Sequence, residues 1–153
     1  MPYRISKSFT VESGHMLSKH PGRCKFPHGH SRTISVVVSA PGLNHHDMVC
    51  DFKALKLALK SVCDELDHSL AINSEDPLLA KLEGIRERVV VFHGQDPTTE
   101  VLARRIHDAL TTLVRRGAAL AAPDGISYRL PPELVVERVR VTETDSTWAE
   151  YQA

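Results

Sequence analysis

A chain of 153 residues, 42% hydrophobic and 25% charged, is long enough to bury a core and reads as one soluble globular domain over residues 1–153. Nineteen Lys+Arg balance nineteen Asp+Glu, so there is no broad field for nucleic acid or a membrane surface, although Arg104-Arg105, Arg115-Arg116, Arg138 and Arg140 leave room for a small anionic ligand. No apolar run approaches the roughly 20 residues of a membrane span, and Met1-Pro2-Tyr3-Arg4-Ile5 lacks a signal-peptide core, so a cytoplasmic protein is expected.

Tyr3, Ile5, Phe9 and Val11 alternate with polar residues, predicting a half-buried first strand that ends or bulges at Glu12-Ser13-Gly14-His15. Residues 19–23 carry turn chemistry. A second strand is predicted over 30–40, with Ile34, Val36 and Val38 on one face and Thr33, Ser35, Val37 and Ser39 on the other. From Asp51 the period changes: Phe52, Leu55, Leu59, Val62 and Leu66 form the stripe of a helix of about four turns, ending near Leu66-Asp67-His68. Residues 69–95 read as mostly irregular, with a short helix at 77–83 and a short strand at 89–92.

The second helix has Asp96 as its expected N-cap, Pro97 at its first position and Glu100 in its first turn. Leu102, Ile106, Leu110 and Leu113 make its stripe, and Arg115, Arg116 and Gly117 close it. Residues 118–132 read as a loop. A third strand is predicted over 133–142, with Val135, Val139 and Val141 on one face, and a fourth over 148–151. The class is α+β, order ββααββ. Four strands with helices on one face leave two exposed edges, and association of subunits is the natural cover.

The chemistry concentrates in Cys24-Lys25-Phe26-Pro27-His28-Gly29-His30. In an extended backbone, residues i and i+2 project from one face, so His28 and His30 can aim both imidazoles at one point. With His15 they make a three-nitrogen set that suits a catalytic zinc ion with an open fourth position. Cys24 is either the working thiol, in the cationic surroundings of Arg23 and Lys25, or the fourth ligand of a closed structural site.

Three cysteines without secretory features argue against a disulfide framework, and Cys50 and Cys63 read as structural. His20, His45, His46, His93 and His107 have no ligand spacing and read mostly as solvated. Asp67 and His68 can cooperate only if the first helix has already ended before it reaches them. Glu143 shares strand parity with Val139 and Val141, which aims its carboxylate at the buried side, where it needs a partner. Thr98 and Thr99 occupy a first helical turn, where free N–H groups attract polar ligand atoms.

The ordered set Phe9…His15, Cys24…His28-Gly29-His30, Asp51-Phe52…Leu55-Lys56, Leu66-Asp67-His68, Pro97-Thr98-Thr99-Glu100 and Thr142-Glu143-Thr144 resembles the 6-pyruvoyl-tetrahydropterin synthase family. That family includes the bacterial 6-carboxy-tetrahydropterin synthases of the queuosine pathway. The resemblance implies a tunnelling fold (T-fold), a four-stranded antiparallel sheet with two helices on one face, assembled as a homohexamer of two stacked trimers. It implies zinc on His15, His28 and His30, Cys24 as the base, and Asp67 and His68 as a proton relay contributed across a subunit boundary. Glu143 would anchor the pterin ring, with Thr98 or Thr99 nearby.

The implied reaction converts 7,8-dihydroneopterin triphosphate to 6-carboxy-5,6,7,8-tetrahydropterin with loss of acetaldehyde and triphosphate. The Cys-x-x-x-His-Gly-His spacing resembles the carboxy branch. The alternatives are a pyruvoyl synthase, a side-chain-cleaving enzyme, and a non-catalytic zinc-stabilised pterin-binding protein.

Overall fold

Alternation builds the centre of the protein. The computed structural model, which describes residues 2–153, pairs β1 (Tyr3–His15) with β2 (His28–Ala40) antiparallel along their whole lengths. Met1, at the head of the expected N-terminal segment, lies outside the described residues. β7 (Val135–Thr144) pairs antiparallel with β2, and β8 (Thr147–Gln152) with β7, which completes the four strands the alternation predicts.

The sheet nevertheless has six strands. β3 (Ser69–Asn73) runs parallel to the end of β1, and β4 (Val89–Phe92) runs parallel to β3, giving the order β4-β3-β1-β2-β7-β8. The segment 89–92 is a strand as expected, but 69–73 is not irregular. Ala71, Ile72 and Asn73 are all buried, and a strand covered on both faces shows no period to read. β1 runs to His15, the last residue of the segment where its end was expected. Gly14 permits the close approach of β3, since a Cβ there would stand 3.2 Å from the Ser69 carbonyl oxygen.

One face of the sheet carries Val11, Ile34, Val36, Val38, Val139 and Val141, and two helices cover it. α1 (Phe52–Cys63) is capped by Asp51, whose carboxylate accepts the Lys53 N–H at 2.7 Å. It buries Ala54, Leu55, Ala58, Leu59 and Cys63 and leaves Phe52 exposed. The helix stops at Cys63 and not near Leu66; beyond it the Leu66 amide donates to the Cys63 carbonyl, an i→i−3 bond that tightens the chain into turns. α2 (Thr99–Arg115) buries Leu102, Ala103, Ile106, Leu110 and Val114 and ends with Gly117 at φ 57°.

Three further local expectations change. Thr98, not Asp96, caps α2, accepting the Val101 N–H at 3.2 Å, because the Asp96 carboxylate is committed elsewhere. Pro77–Arg88 forms 3-10 turns interrupted at Ile85, longer than the predicted 77–83 helix. The 118–132 loop contains a hairpin, β5 (Ala119–Ala121) with β6 (Ser127–Arg129), that lays Leu120 and Tyr128 on the core.

On β7, Arg138 faces Val37 but Val136 faces Val38, so Glu137 is an extra residue. This bulge flips the parity, burying Val136 and exposing Val135. No helix among the described residues is long and apolar enough to cross a membrane.

Candidate metal centre and its surroundings

The β1–β2 register decides the site. His15 stands opposite His28 and Ser13 opposite His30, so the three imidazoles meet at one end of the strand pair. Their ring centroids are 4.5, 5.2 and 5.1 Å apart. The His15 Nδ1 lies 2.8 Å from the Pro97 carbonyl oxygen, and the His28 Nδ1 lies 2.8 Å from that of Phe26. A carbonyl can only accept, so each Nδ1 carries the proton and each Nε2 presents its lone pair to the centre.

The Nε2 atoms of His28 and His30 are buried with no hydrogen-bond partner. Burial lowers the His15 pKa to about 4, against the Pro97 hydrogen bond and aided by Arg32, and burial lowers that of His30 as well. Both rings are therefore neutral near pH 7, the form that ligates metal. Orphaned, converging, neutral imidazole nitrogens fit a metal ion.

Glu143 joins them. Thr142 pairs with Trp148 and Thr144 with Thr147, so Glu143 is the extra residue of a second bulge. Its Oε1 lies 3.2 Å from the His30 Nε2 and 3.8 Å from the His15 Nε2. One donor atom from each of His15, His28, His30 and Glu143 falls within 4.8 Å of the others. The inward direction expected from parity is observed, and the fourth donor is this carboxylate. The Cys24 sulfur is not a member of the group. Burial works to raise the Glu143 pKa, but the Thr99 hydroxyl, His30 and Arg32 outweigh it and hold the carboxylate below its ordinary range.

The two threonines separate. Thr98 is spent on the helix cap, whereas Thr99 is buried and its hydroxyl donates to the Glu143 Oε2 at 2.9 Å. Arg32, 1% exposed, is a site residue that the strand pattern contains but does not announce. It shares the even parity of Ile34, Val36 and Val38, which puts a guanidinium on the core face. Its Nε donates to the Ser13 Oγ at 3.0 Å, and its Nη1 donates to the Thr99 Oγ1 at 3.0 Å and the Thr142 carbonyl at 3.3 Å.

Cys24 is half-buried in a 3-10 turn, Arg23–Lys25, between the two histidine-bearing strands. Its carbonyl accepts the Leu17 N–H at 2.9 Å. The connecting loop is held by Asp96, which accepts the Ser18 hydroxyl at 2.7 Å, the Lys19 N–H at 2.8 Å and the Asn73 amide at 3.0 Å. Asp96 thus ties the Cys24 loop to the segment whose next residue, Pro97, orients His15.

Asp67 and His68 lie apart from this centre, past the end of α1, where the backbone is no longer helical. His68 adopts φ 55°, and its Nδ1 lies 3.1 Å from the Asp67 Oδ2. The Glu12 N–H donates to the Asp67 Oδ1 at 2.9 Å and is the main cause of a lowered Asp67 pKa, while Arg88 binds the carbonyls of both residues. The condition for their cooperation, a helix already ended, is met.

Elsewhere, His107 is buried and not solvated, its Nε2 2.9 Å from the Val136 carbonyl oxygen. Burial pushes the Cys50 and Cys63 thiols up to about 11 and about 12, which suits inert structural thiols.

The sequence profile of 6-pyruvoyl tetrahydropterin synthase matches residues 4–153. The 6-carboxy-5,6,7,8-tetrahydropterin synthase of Aquifex aeolicus is 30% identical over 171 residues, covering 99% of this chain and 99% of that protein. The probable enzyme of the same name from Halobacterium salinarum is 36% identical over 110 residues, 68% of this chain and 69% of that one. Among solved structures, the 6-pyruvoyl tetrahydropterin synthase of Plasmodium vivax shares the fold with a TM-score of 0.71 at 16% identity, covering 100% of this chain and 98% of its own. An uncharacterized Wolinella succinogenes protein, WS1659, matches with a TM-score of 0.77 at 21% identity over 99% and 98%.

Proposed function

The chain belongs to the 6-pyruvoyl tetrahydropterin synthase family, and on that premise we propose that it is a zinc-dependent lyase of the carboxy branch. Its substrates are 7,8-dihydroneopterin triphosphate and water, and its products are 6-carboxy-5,6,7,8-tetrahydropterin, acetaldehyde and triphosphate. The observation that carries the reading is the convergence of three imidazoles, two of them with orphaned Nε2 atoms, beside a carboxylate, with Cys24 on the segment that joins the two histidine-bearing strands.

His15, His28 and His30 hold the ion. Bound zinc supplies Lewis acidity toward the oxygens of the substrate's three-carbon tail. Cys24, as general base, takes a proton from a carbon of that tail. Asp67 and His68 relay protons from a neighbouring subunit, and the open sheet edges, β4 and β8, are where a hexamer of two stacked trimers would join. Glu143 receives the paired N–H groups of the pterin ring, since a carboxylate accepts such a pair bidentately. Thr99 orients it, and Thr98 frames the same helix start. The carboxy branch is supported by the names of the A. aeolicus and H. salinarum relatives and by the Cys24-x-x-x-His28 spacing.

A second reading has one observation in its favour. Glu143 can complete a four-donor group, and a closed group suits a non-catalytic, zinc-stabilised pterin-binding protein. Incubating zinc-loaded protein with 7,8-dihydroneopterin triphosphate and identifying the products by mass decides between them. Acetaldehyde with a carboxylated tetrahydropterin is expected. A pyruvoyl product, or loss of the tail alone, would move the enzyme to another branch, and bound but unchanged substrate would favour the second reading.

A further inference from the structure

A buried guanidinium beside three metal-seeking imidazoles is an unfavourable arrangement on its face, because its charge opposes that of any cation they hold. Arg32 has no carboxylate within ion-pairing distance among the described residues, and its Nη2 stands 3.4 Å from both nitrogens of the His15 ring, of which only Nε2 can accept because Nδ1 donates to Pro97. What it does own is the Thr99 hydroxyl. Arginine only donates, so the Nη1–H at 3.0 Å occupies a Thr99 lone pair and leaves the Thr99 proton to go elsewhere. It goes to the Glu143 Oε2 at 2.9 Å. The direction of every link is therefore fixed, from Arg32 to Thr99 to Glu143.

We infer that Arg32 is a positioning residue for Glu143, acting through Thr99. The relay of donors engages Oε2 and leaves Oε1 as the oxygen nearest the centre, 3.2 Å from the His30 Nε2. The Ser13 Oγ and the Thr142 carbonyl brace the guanidinium from β1 and β7, so the carboxylate is aimed by rigid strands. This rests on the proposal that Glu143 anchors a pterin ring. A carboxylate free to rotate would lose the alignment needed to accept two ring N–H groups at once.

The test is a double-mutant cycle on zinc-loaded protein, read by fluorescence titration with neopterin, an unreactive pterin, alongside metal content. Arg32→Met and Thr99→Val should each weaken neopterin binding by about tenfold. Arg32→Lys, which keeps one donor, should weaken it less. The double variant should bind about as well as either single one, because both break one relay. Bound zinc should stay near one per protomer throughout. If Arg32→Met fails to fold, Arg32→Lys completes the same cycle with Thr99→Val. Multiplying losses, or unchanged neopterin binding in the Arg32 variants, would overturn the inference alone. Zinc-loaded wild-type protein that bound no neopterin would overturn the pterin reading and the inference with it.

Discussion

The histidine centre and the Asp67–His68 corner are built in opposite ways. Each group at the centre is held by strand register, by a carbonyl behind its ring or, for Glu143, by the Thr99 hydroxyl, and His15 is buried. At the corner, two adjacent side chains meet on one another, with His68 76% exposed and in a left-handed backbone conformation that a non-glycine residue seldom adopts. Strain of that kind, of order 1–3 kcal/mol, persists where the surroundings enforce it. Here the Glu12 backbone and Arg88 do so. The contrast teaches that the centre is assembled within one protomer, whereas the corner is a prepared pair facing outward, as a site shared between subunits would require.

Breaking the centre should have the largest effect. His28→Ala is expected to lose bound zinc and to lower turnover by about 10³-fold or more, since several kcal/mol of charge stabilisation go with the ion. Metal analysis and steady-state rates check this; retained zinc with full activity would separate the histidines from the chemistry. The corner sharpens the contrast. Cys24→Ala and His68→Ala should each cost about 10²–10⁴-fold as proton-transfer variants that keep their zinc. Unfolded together and refolded as mixed oligomers, the two inactive variants should regain a measurable share of wild-type turnover if His68 serves a neighbour's Cys24. No recovery in mixed oligomers would place both residues in one protomer's site.

The smallest effect should come from the Asp96 support. Asp96→Ala is expected to cost about 1–3 kcal/mol of stability by leaving Ser18, Lys19 and Asn73 without their acceptor. The Asp96 pKa lies below its ordinary 3.8, because the hydrogen bonds from Asn73, Lys19 and Ser18 outweigh its burial. A carboxyl with a depressed folded-state pKa stabilises fully above its unfolded value and loses that contribution as pH falls through the folded one. The gap between wild type and variant in denaturant midpoints should thus be constant from pH 7 to about 5 and close below about pH 4. A gap independent of pH would show that the carboxylate's charge contributes nothing.

How much of this was legible depended on what each residue needed. The spacing of His28 and His30 and the parity of Glu143 could be read because a strand's period is two. Arg32 obeyed the same parity and stood among core positions, but a charged residue in an alternating strand is habitually assigned to solvent. β3 was hidden because a strand buried on both faces has no period. Asp96 resembled a cap in every local respect, and only the distant Ser18, Lys19 and Asn73 make it something else. The Glu137 bulge, which buries Val136 and exposes Val135, leaves no mark in the sequence at all.

The proposed activity requires an ion held by nitrogen donors while the Cys24 sulfur stays off the metal. X-ray absorption at the zinc edge of the loaded protein measures that directly. It should show a first shell of nitrogen and oxygen scatterers at about 2.0–2.2 Å with three imidazoles and no sulfur. A sulfur scatterer at about 2.3 Å would make Cys24 a ligand and contradict its role as the base.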